Sequence, residues 1–391
     1  MLRVVPTILR DLNSSQHHES GPWLTAVKPF ITGRRVLGII DPAVEKALRI
    51  SERVQELELA AAFSIFTQFP PNPTWESLAG ALSQAQVDST DTVIAIGGGT
   101  AIDLAKLAAT ALDLGGAAQL WEASQSNLSE GIQRHSVQLF AIPTTAGTGA
   151  EATQFAVLYR EGIKYSIAGA ALKPDRTVLD ASLLSSLPPS VIADAGLDAA
   201  CQAMESLWSV RSSPESEQEA WEALRLAASH LALAVTTQSP ENLNAMLEAA
   251  HRAGRAINLT TTSAPHALSY GLTSLFGIPH GRAVARLYGP IFKRTAISVE
   301  AYCRHPKGHP FLIERLKKIA QVWGQKPEDF PEWWKDYLQN KLSVPCDRVD
   351  LSDDQLKELA RTVNAKRLAN HPILFSPDQI KDIYQETIQS M

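Results

Sequence analysis

A short β-branched and apolar run, Thr92 to Ile96 (TVIAI), passes straight into Gly97, Gly98, Gly99 and Thr100 and then into a helical stretch carrying Asp103 and Lys106. Strand, glycine turn and helix in that order make a βαβ unit of a mostly parallel sheet, and no other stretch constrains the fold as much. Glycines let a backbone approach a ligand closely. The first turn of the following helix offers unpaired N–H groups and the positive end of a dipole, which together suit a pyrophosphate. The spacing is not GxGxxG, and a tight turn without a ligand reads equally well. Asp103 is a candidate on the ligand side. It and Lys106 also read as a first-turn acid and a solvated helix charge.

The neighbouring stretches repeat the pattern. Arg35 to Asp41 and Ala62 to Phe69 read as strands, the second closed by Pro70, Pro71, Asn72 and Pro73, with Thr74 placed to cap a helix through Trp75. Gln138 to Ile142 is a further strand, Val157 to Tyr159 and Lys164 to Ile167 a hairpin, and Thr177 to Leu179 a last strand. From Leu187 onward, Ala- and Leu-rich stretches have helical periodicity and almost no strand signal. The expected organisation is an α/β dinucleotide-binding domain over residues 1–180 and an all-helical domain over 181–391. Within the latter, Cys303 to Pro345 reads as short helices and loops near the surface.

Composition sets the function classes. Against 36 basic residues stand 41 acidic ones, a net charge of −5, so no global positive field exists to hold nucleic acid or an anionic membrane. Small-molecule chemistry is the expectation. Cys201, Cys303 and Cys346 are widely spaced and form no CxxC pair, which argues against a disulfide framework and for a reducing cytoplasm. The N-terminal MLRVVPTILRDLNSS interrupts its apolar runs with Arg3, Pro6 and Arg10 and does not read as a signal peptide. No apolar run approaches the roughly 20 residues that span a bilayer.

Two constellations carry candidate chemistry. The loop Pro143 to Glu151 (PTTAGTGAE) is a second glycine- and threonine-rich connection at the end of a strand, and both loops would face one crevice in an open α/β sheet. Asp41, ending the first clear strand, stands where a carboxylate accepts from ribose hydroxyls and repels an added phosphate; as a residue before Pro42 it also reads as a turn former. Farther on, Asp198 and Gln202 lie four apart in an apolar helix, and His266 and His280 follow in glycine-punctuated surroundings. One carboxylate and two imidazoles suffice for a divalent metal, and two core histidines are the alternative. The other eight histidines, His251, His305 and His371 among them, sit in polar or proline-flanked contexts and are given no role.

Four blocks, GGGTAIDLAK, IPTTAGTGAEAT, LDASLLSSLPPSVIADAGLDA and HALSYGLTSLFGIPHGRAVA, together resemble the iron-containing, group III alcohol dehydrogenases, whose fold is shared with dehydroquinate synthase and glycerol dehydrogenase. They fall in the family's order and span most of residues 35–290. The resemblance implies a metal held by Asp198, His266 and His280, with Gln202 where the family has a first histidine. An amide oxygen is a weaker ligand than imidazole for Fe²⁺ or Zn²⁺. It further implies Gly98, Gly99 and Thr100 at the pyrophosphate of NAD(H) or NADP(H), Asp41 at the adenosine ribose, and Asn72, Thr144, Thr145, Thr148 and Lys164 along the rest of the dinucleotide. Tyr270 stands where many members carry a proton-relaying histidine.

Within the family, the stretches GLDAACQAMESLWSVRSSPES and AGRAINLTTTSAPHALSY are most similar to the phosphonoacetaldehyde reductase branch. That implies metal-dependent reduction of a short aldehyde, phosphonoacetaldehyde to 2-hydroxyethylphosphonate, in a cleft between the domains of a homodimer or higher homo-oligomer. The branch has a lysine near position 261, where this chain has Thr261. A dianionic substrate needs cations, and Arg211, Arg255 and Arg282 are the candidates. The rival expectations are a metal-independent reductase of a carbonyl acid, a synthase or cyclase of the dehydroquinate synthase type, and a silent nucleotide binder.

Overall fold

The computed structural model describes residues 17–20, 22–55, 62–85, 90–125, 134–345, 349, 351–361 and 363–389. Met1 to Ser15, the stretch read against a signal peptide, lies outside them, and so does Cys346. The chain divides into two compact units. The first comprises residues up to Thr145 and Gly149–Ser186, the second Ala146–Thr148 and Leu187–Met391.

The first unit is built on a six-stranded sheet of β1 (His17–Ser20), β2 (Arg35–Ile40), β3 (Ala62–Phe66), β4 (Thr92–Gly97), β5 (Gln138–Pro143) and β8 (Arg176–Leu179). All pairs are parallel, in the order β1-β8-β5-β4-β2-β3. Every residue of β4 and all but the first of β2 are buried, as expected of strands covered on both faces. β1 (HHES) is an addition, because an edge strand of polar residues leaves no apolar run to read.

The order reverses between β2 and β4: the chain runs outward from β2 to β3, then returns to lay β4, β5 and β8 on the other side. A reversal of this kind opens a crevice at the carboxyl ends of the two central strands. The register pairs Ile40 with Ile96, which brings Asp41 beside Gly97. A Cβ on Gly97 would lie 2.8 Å from that of Asp41 and 2.6 Å from that of Ala101, so only glycine fits there.

β6 (Phe155–Arg160) and β7 (Ile163–Ala168) form a two-stranded antiparallel hairpin. Its two-residue turn, Glu161 and Gly162, has φ of 52° and 77°, the left-handed pair that matches the strands' twist. Lys106 is fully buried rather than solvated, because its helix Gly99–Leu114 packs against the start of β6. Its ammonium donates to Thr153 Oγ1 at 2.9 Å and Phe155 O at 2.8 Å.

The second unit is helical, with Pro189–Trp208, Pro214–Thr237, Pro240–Thr260, Ala264–Phe276 and His280–Tyr302 as its long elements. Serine caps open two of them: Ser213 in a reciprocal box with Ser216, and Ser239 accepting from Asn242 N, each followed by a proline whose missing N–H costs the helix nothing. Pro189–Trp208 is buried without interruption from Gly196 onward. The stretch 303–345 departs from the expectation of short helices and loops near the surface in its burial and in the length of one helix. It contains the 15-residue helix Gly308–Val322 and the helix Phe330–Asp336, and its aromatics Phe330, Trp334 and Tyr337 are buried against Tyr288 and one another. His251, His305 and His371 are also buried, so their polar or proline-flanked sequence contexts misjudged their positions.

Candidate functional site

In the helical unit, Asp198, His266 and His280 each present one donor atom, and the three atoms lie within 4.8 Å of one another. Asp198 comes from the middle of Pro189–Trp208, His266 from the first turn of Ala264–Phe276, and His280 opens His280–Tyr302. Close approach of the first and last of these helices depends on Gly281. A Cβ there would sit 1.9 Å from Asp194 O and 3.0 Å from Asp198 Cβ.

The polar arrangement is specific. His266 Nε2 and Asp198 Oδ1 are 3.0 Å apart, sharing a hydrogen bond. On the other side of the ring, His266 Nδ1 meets Glu205 Oε1 at 2.5 Å. Glu205 is fully buried, and its Oε2 accepts from Ser263 N at 2.6 Å and Ser263 Oγ at 2.9 Å. Ser263 Oγ in turn accepts from Trp208 Nε1 at 2.9 Å. The His280 ring lies 5.3 Å from that of His266 and stacks on Tyr270, centroids 5.8 Å apart and planes 5° from parallel.

Electrostatics follow from this packing. Burial alone would raise the Asp198 carboxyl, but the His266 hydrogen bond, the neighbouring His280 and the Gln202 amide hold it below its ordinary value. Burial alone would lower His266, yet Glu205 and Asp198 together push it up to about 9. Two carboxylates on either side of one imidazole favour a cation between them.

Gln202 bears on whether a metal fits. Its Nε2 donates to Thr148 O at 3.3 Å, while its buried Oε1 has no hydrogen-bond partner. A buried acceptor without a donor is costly, and a cation at the neighbouring donors would relieve it. One carboxylate, two imidazoles and one orphaned amide oxygen are a chemically suitable set for a divalent ion. Glu205 was missed in the sequence, although it stands seven residues after Asp198 on the same helix face as Gln202.

The arginines sort differently from expectation. Arg282 is held bidentate by Asp194, Nε and Nη2 at 3.0 and 2.9 Å, and Arg255 pairs with Glu219 at 3.1 Å. Both serve the scaffold, since each is within reach of an acid on the adjoining helix. Arg211 is exposed.

In the first unit, Gly98 caps the helix Gly99–Leu114 without a side chain, and Asn72, at φ 72°, donates its backbone N–H to Thr100 Oγ1 at 3.2 Å. Thr145 Oγ1 lies 3.3 Å from where a Gly98 Cβ would be, and Thr144 N donates to Gly97 O at 3.0 Å. Gly98, Gly99, Thr100, Asn72, Thr144 and Thr145 are therefore one cluster at the ends of β4 and β5. Asp41 Oδ1 caps the helix after β2 through Ala43 N and Val44 N. Asp103 accepts from Val157 N at 2.9 Å and lies 3.7 Å from Lys106 Nζ, a scaffold role at the hairpin that removes it from the ligand-side candidates. Lys164 is exposed on β7. Thr148 belongs to the helical unit.

The sequence profile of the iron-containing alcohol dehydrogenases matches residues 22–181, and that of the C-terminal part of the same family matches 192–388. A phosphonoacetaldehyde reductase of Streptomyces viridochromogenes is 37% identical over 305 residues, 76% of each chain. A 1-propanol dehydrogenase of Salmonella typhimurium is 29% identical over 79% of this chain and 77% of its own. The fold is that of a sulfoacetaldehyde reductase from Bifidobacterium kashiwanohense solved in complex with NAD⁺, with a TM-score of 0.83 at 24% identity over 98% of this chain and all of the other.

Proposed function

This chain belongs to the iron-containing alcohol dehydrogenases, an NAD(P)-dependent family working with a divalent metal, and from that premise we propose that it reduces phosphonoacetaldehyde to 2-hydroxyethylphosphonate. The likeness to the Streptomyces reductase supports the substrate. The convergence of Asp198, His266 and His280 beside the orphaned Gln202 Oε1 is the observation that carries the metal.

When bound, the metal supplies Lewis acidity toward the carbonyl oxygen and the nicotinamide supplies the hydride. Asp198, His266 and His280, with the Gln202 amide oxygen, would hold the ion. Glu205 accepts from His266 Nδ1 and fixes the ring, so that Nε2, which shares a hydrogen bond with Asp198 in the metal-free protein, would offer its lone pair to the ion on losing that proton. Tyr270 hands a proton to the alkoxide oxygen as the alcohol forms. Gly98, Gly99 and Thr100 would receive the pyrophosphate, with Asn72, Thr144, Thr145, Thr148 and Lys164 along the rest of the dinucleotide. Asp41 accepts from the ribose, which favours NADH over NADPH.

The test is the initial rate of NADH and NADPH oxidation with phosphonoacetaldehyde and with propanal, on protein stripped of metal and refilled with Fe²⁺ or Zn²⁺. Turnover restored by metal and selective for phosphonoacetaldehyde is the expected result. Full activity after exhaustive chelation would instead establish a metal-independent reductase. If no aldehyde is consumed under any condition, the reductase reading is wrong.

A further inference from the structure

With Arg255 and Arg282 paired to Glu219 and Asp194, the expected anionic substrate still needs a cation beside Tyr270 and His280. Arg367 provides one. It lies in the short helix Ala365–Leu368, which Asn364 caps by accepting from Arg367 N at 3.0 Å. Its guanidinium carbon lies 5.8 Å from the centroid of the Tyr270 ring, the ring stacked on His280. Its Nη1 donates to Thr262 Oγ1. Among the described residues no carboxylate pairs with it.

The loop beneath Arg367 is fixed. Asn370 Nδ2 reaches the carbonyl oxygens of Thr260, Thr261 and Thr262 at 2.8, 3.2 and 3.2 Å, while its Oδ1 accepts from Ser209 Oγ at 2.8 Å. These bonds hold Thr261 at φ 59°, a conformation a β-branched residue adopts only when its surroundings impose it. The next residue but one, Ser263, is the donor to Glu205. One loop therefore joins the positioning of His266 to the positioning of Arg367.

We propose that Arg367 is the specificity-determining anion site of this enzyme, its guanidinium taking the oxygens of a phosphonate or sulfonate borne by a two-carbon aldehyde. The proposal rests on the aldehyde reductase reading above and names the group that selects the substrate class. A planar fork of donors matches two oxygens of a tetrahedral oxyanion, and a half-buried arginine already held by a hydroxyl and an aromatic face loses little freedom on binding.

The experiment measures kcat/KM for phosphonoacetaldehyde and for propanal in wild type, R367Q and R367K. Phosphonoacetate is added as a competitor against propanal. The anionic-to-neutral ratio should fall roughly ten- to hundredfold in R367Q, carried by KM, as expected for a lost charged hydrogen bond, and by less in R367K, which keeps the charge without the fork. Phosphonoacetate inhibition should weaken in parallel. A ratio that stays constant, or equal losses on both aldehydes, overturns the assignment. Should wild type reduce propanal and ignore phosphonoacetaldehyde, the proposed substrate falls, and phosphonoacetate then decides separately: inhibition weakened in R367Q retains the anion site, and inhibition unchanged by the substitution rejects it.

Discussion

A histidine that must bind a cation has to present a lone pair, and here the residue arranging that is a glutamate 61 positions away. Asp198, Gln202 and Glu205 form an i, i+4, i+7 stripe, so the helix face was readable in the sequence. The partner was not, because nothing local in ESLW announces an imidazole arriving from another helix. Arg367 escaped for the same reason, while Arg255 and Arg282 drew attention only by standing near the motifs. Replacing Glu205 by Gln should lower His266 from about 9 and weaken Zn²⁺ binding by about ten- to a hundredfold, the usual cost of losing such a partner. Calorimetric titration of the stripped protein with Zn²⁺ checks this. An affinity equal to wild type would show that Glu205 serves folding alone.

At the level of elements, the strands were legible wherever a buried parallel strand ran into glycine, as TVIAI does into GGGT, because burial on both faces writes itself as an unbroken apolar run. β1 was not, being polar and at an edge. The burial of the helices of 303–345 was hidden by prolines and tryptophans that suggest a broken surface. Those tryptophans instead fill a core whose other side comes from Tyr288 and Phe292. The contact between Pro189–Trp208 and His280–Tyr302 turns on one missing methyl group. Gly281→Ala should push the helices apart, costing about 1–3 kcal/mol and most of the metal affinity. Thermal denaturation with and without Zn²⁺ reads both effects. Undiminished stabilisation by Zn²⁺ would mean that the helices accommodate the methyl without moving the ligands.

For the molecule as a whole, two buried histidines set opposing limits on stability in the metal-free state. His371 is fully buried against Trp208, its Nε2 3.0 Å from Thr295 Oγ1, and burial, with Arg304 adding to it, holds it down to about 3. Its folded value is depressed, so the stability it contributes is complete above about 6.5, the unfolded value, and is lost as pH falls toward 3. His266 is raised, so its contribution is complete below about 6.5 and is lost as pH rises through about 9. The slope for one proton is about 1.4 kcal/mol per pH unit. Urea denaturation between pH 7 and pH 4 should therefore show a steeper fall in wild type than in H371Q. Parallel slopes would assign the acid sensitivity to other groups.

The excursion of Ala146–Thr148 into the helical unit bears on how this protein can be taken apart. Gly147 fits against Ala195, where a Cβ would come within 2.9 Å of the Ala195 Cα, and Thr148 O is the acceptor for Gln202. Three residues encoded in the first half thus complete the second. A chimera cut once, after Ser186, would graft one relative's loop tip onto another's helix, and a recombination scheme that respects the molecule must transfer these three residues with the C-terminal half.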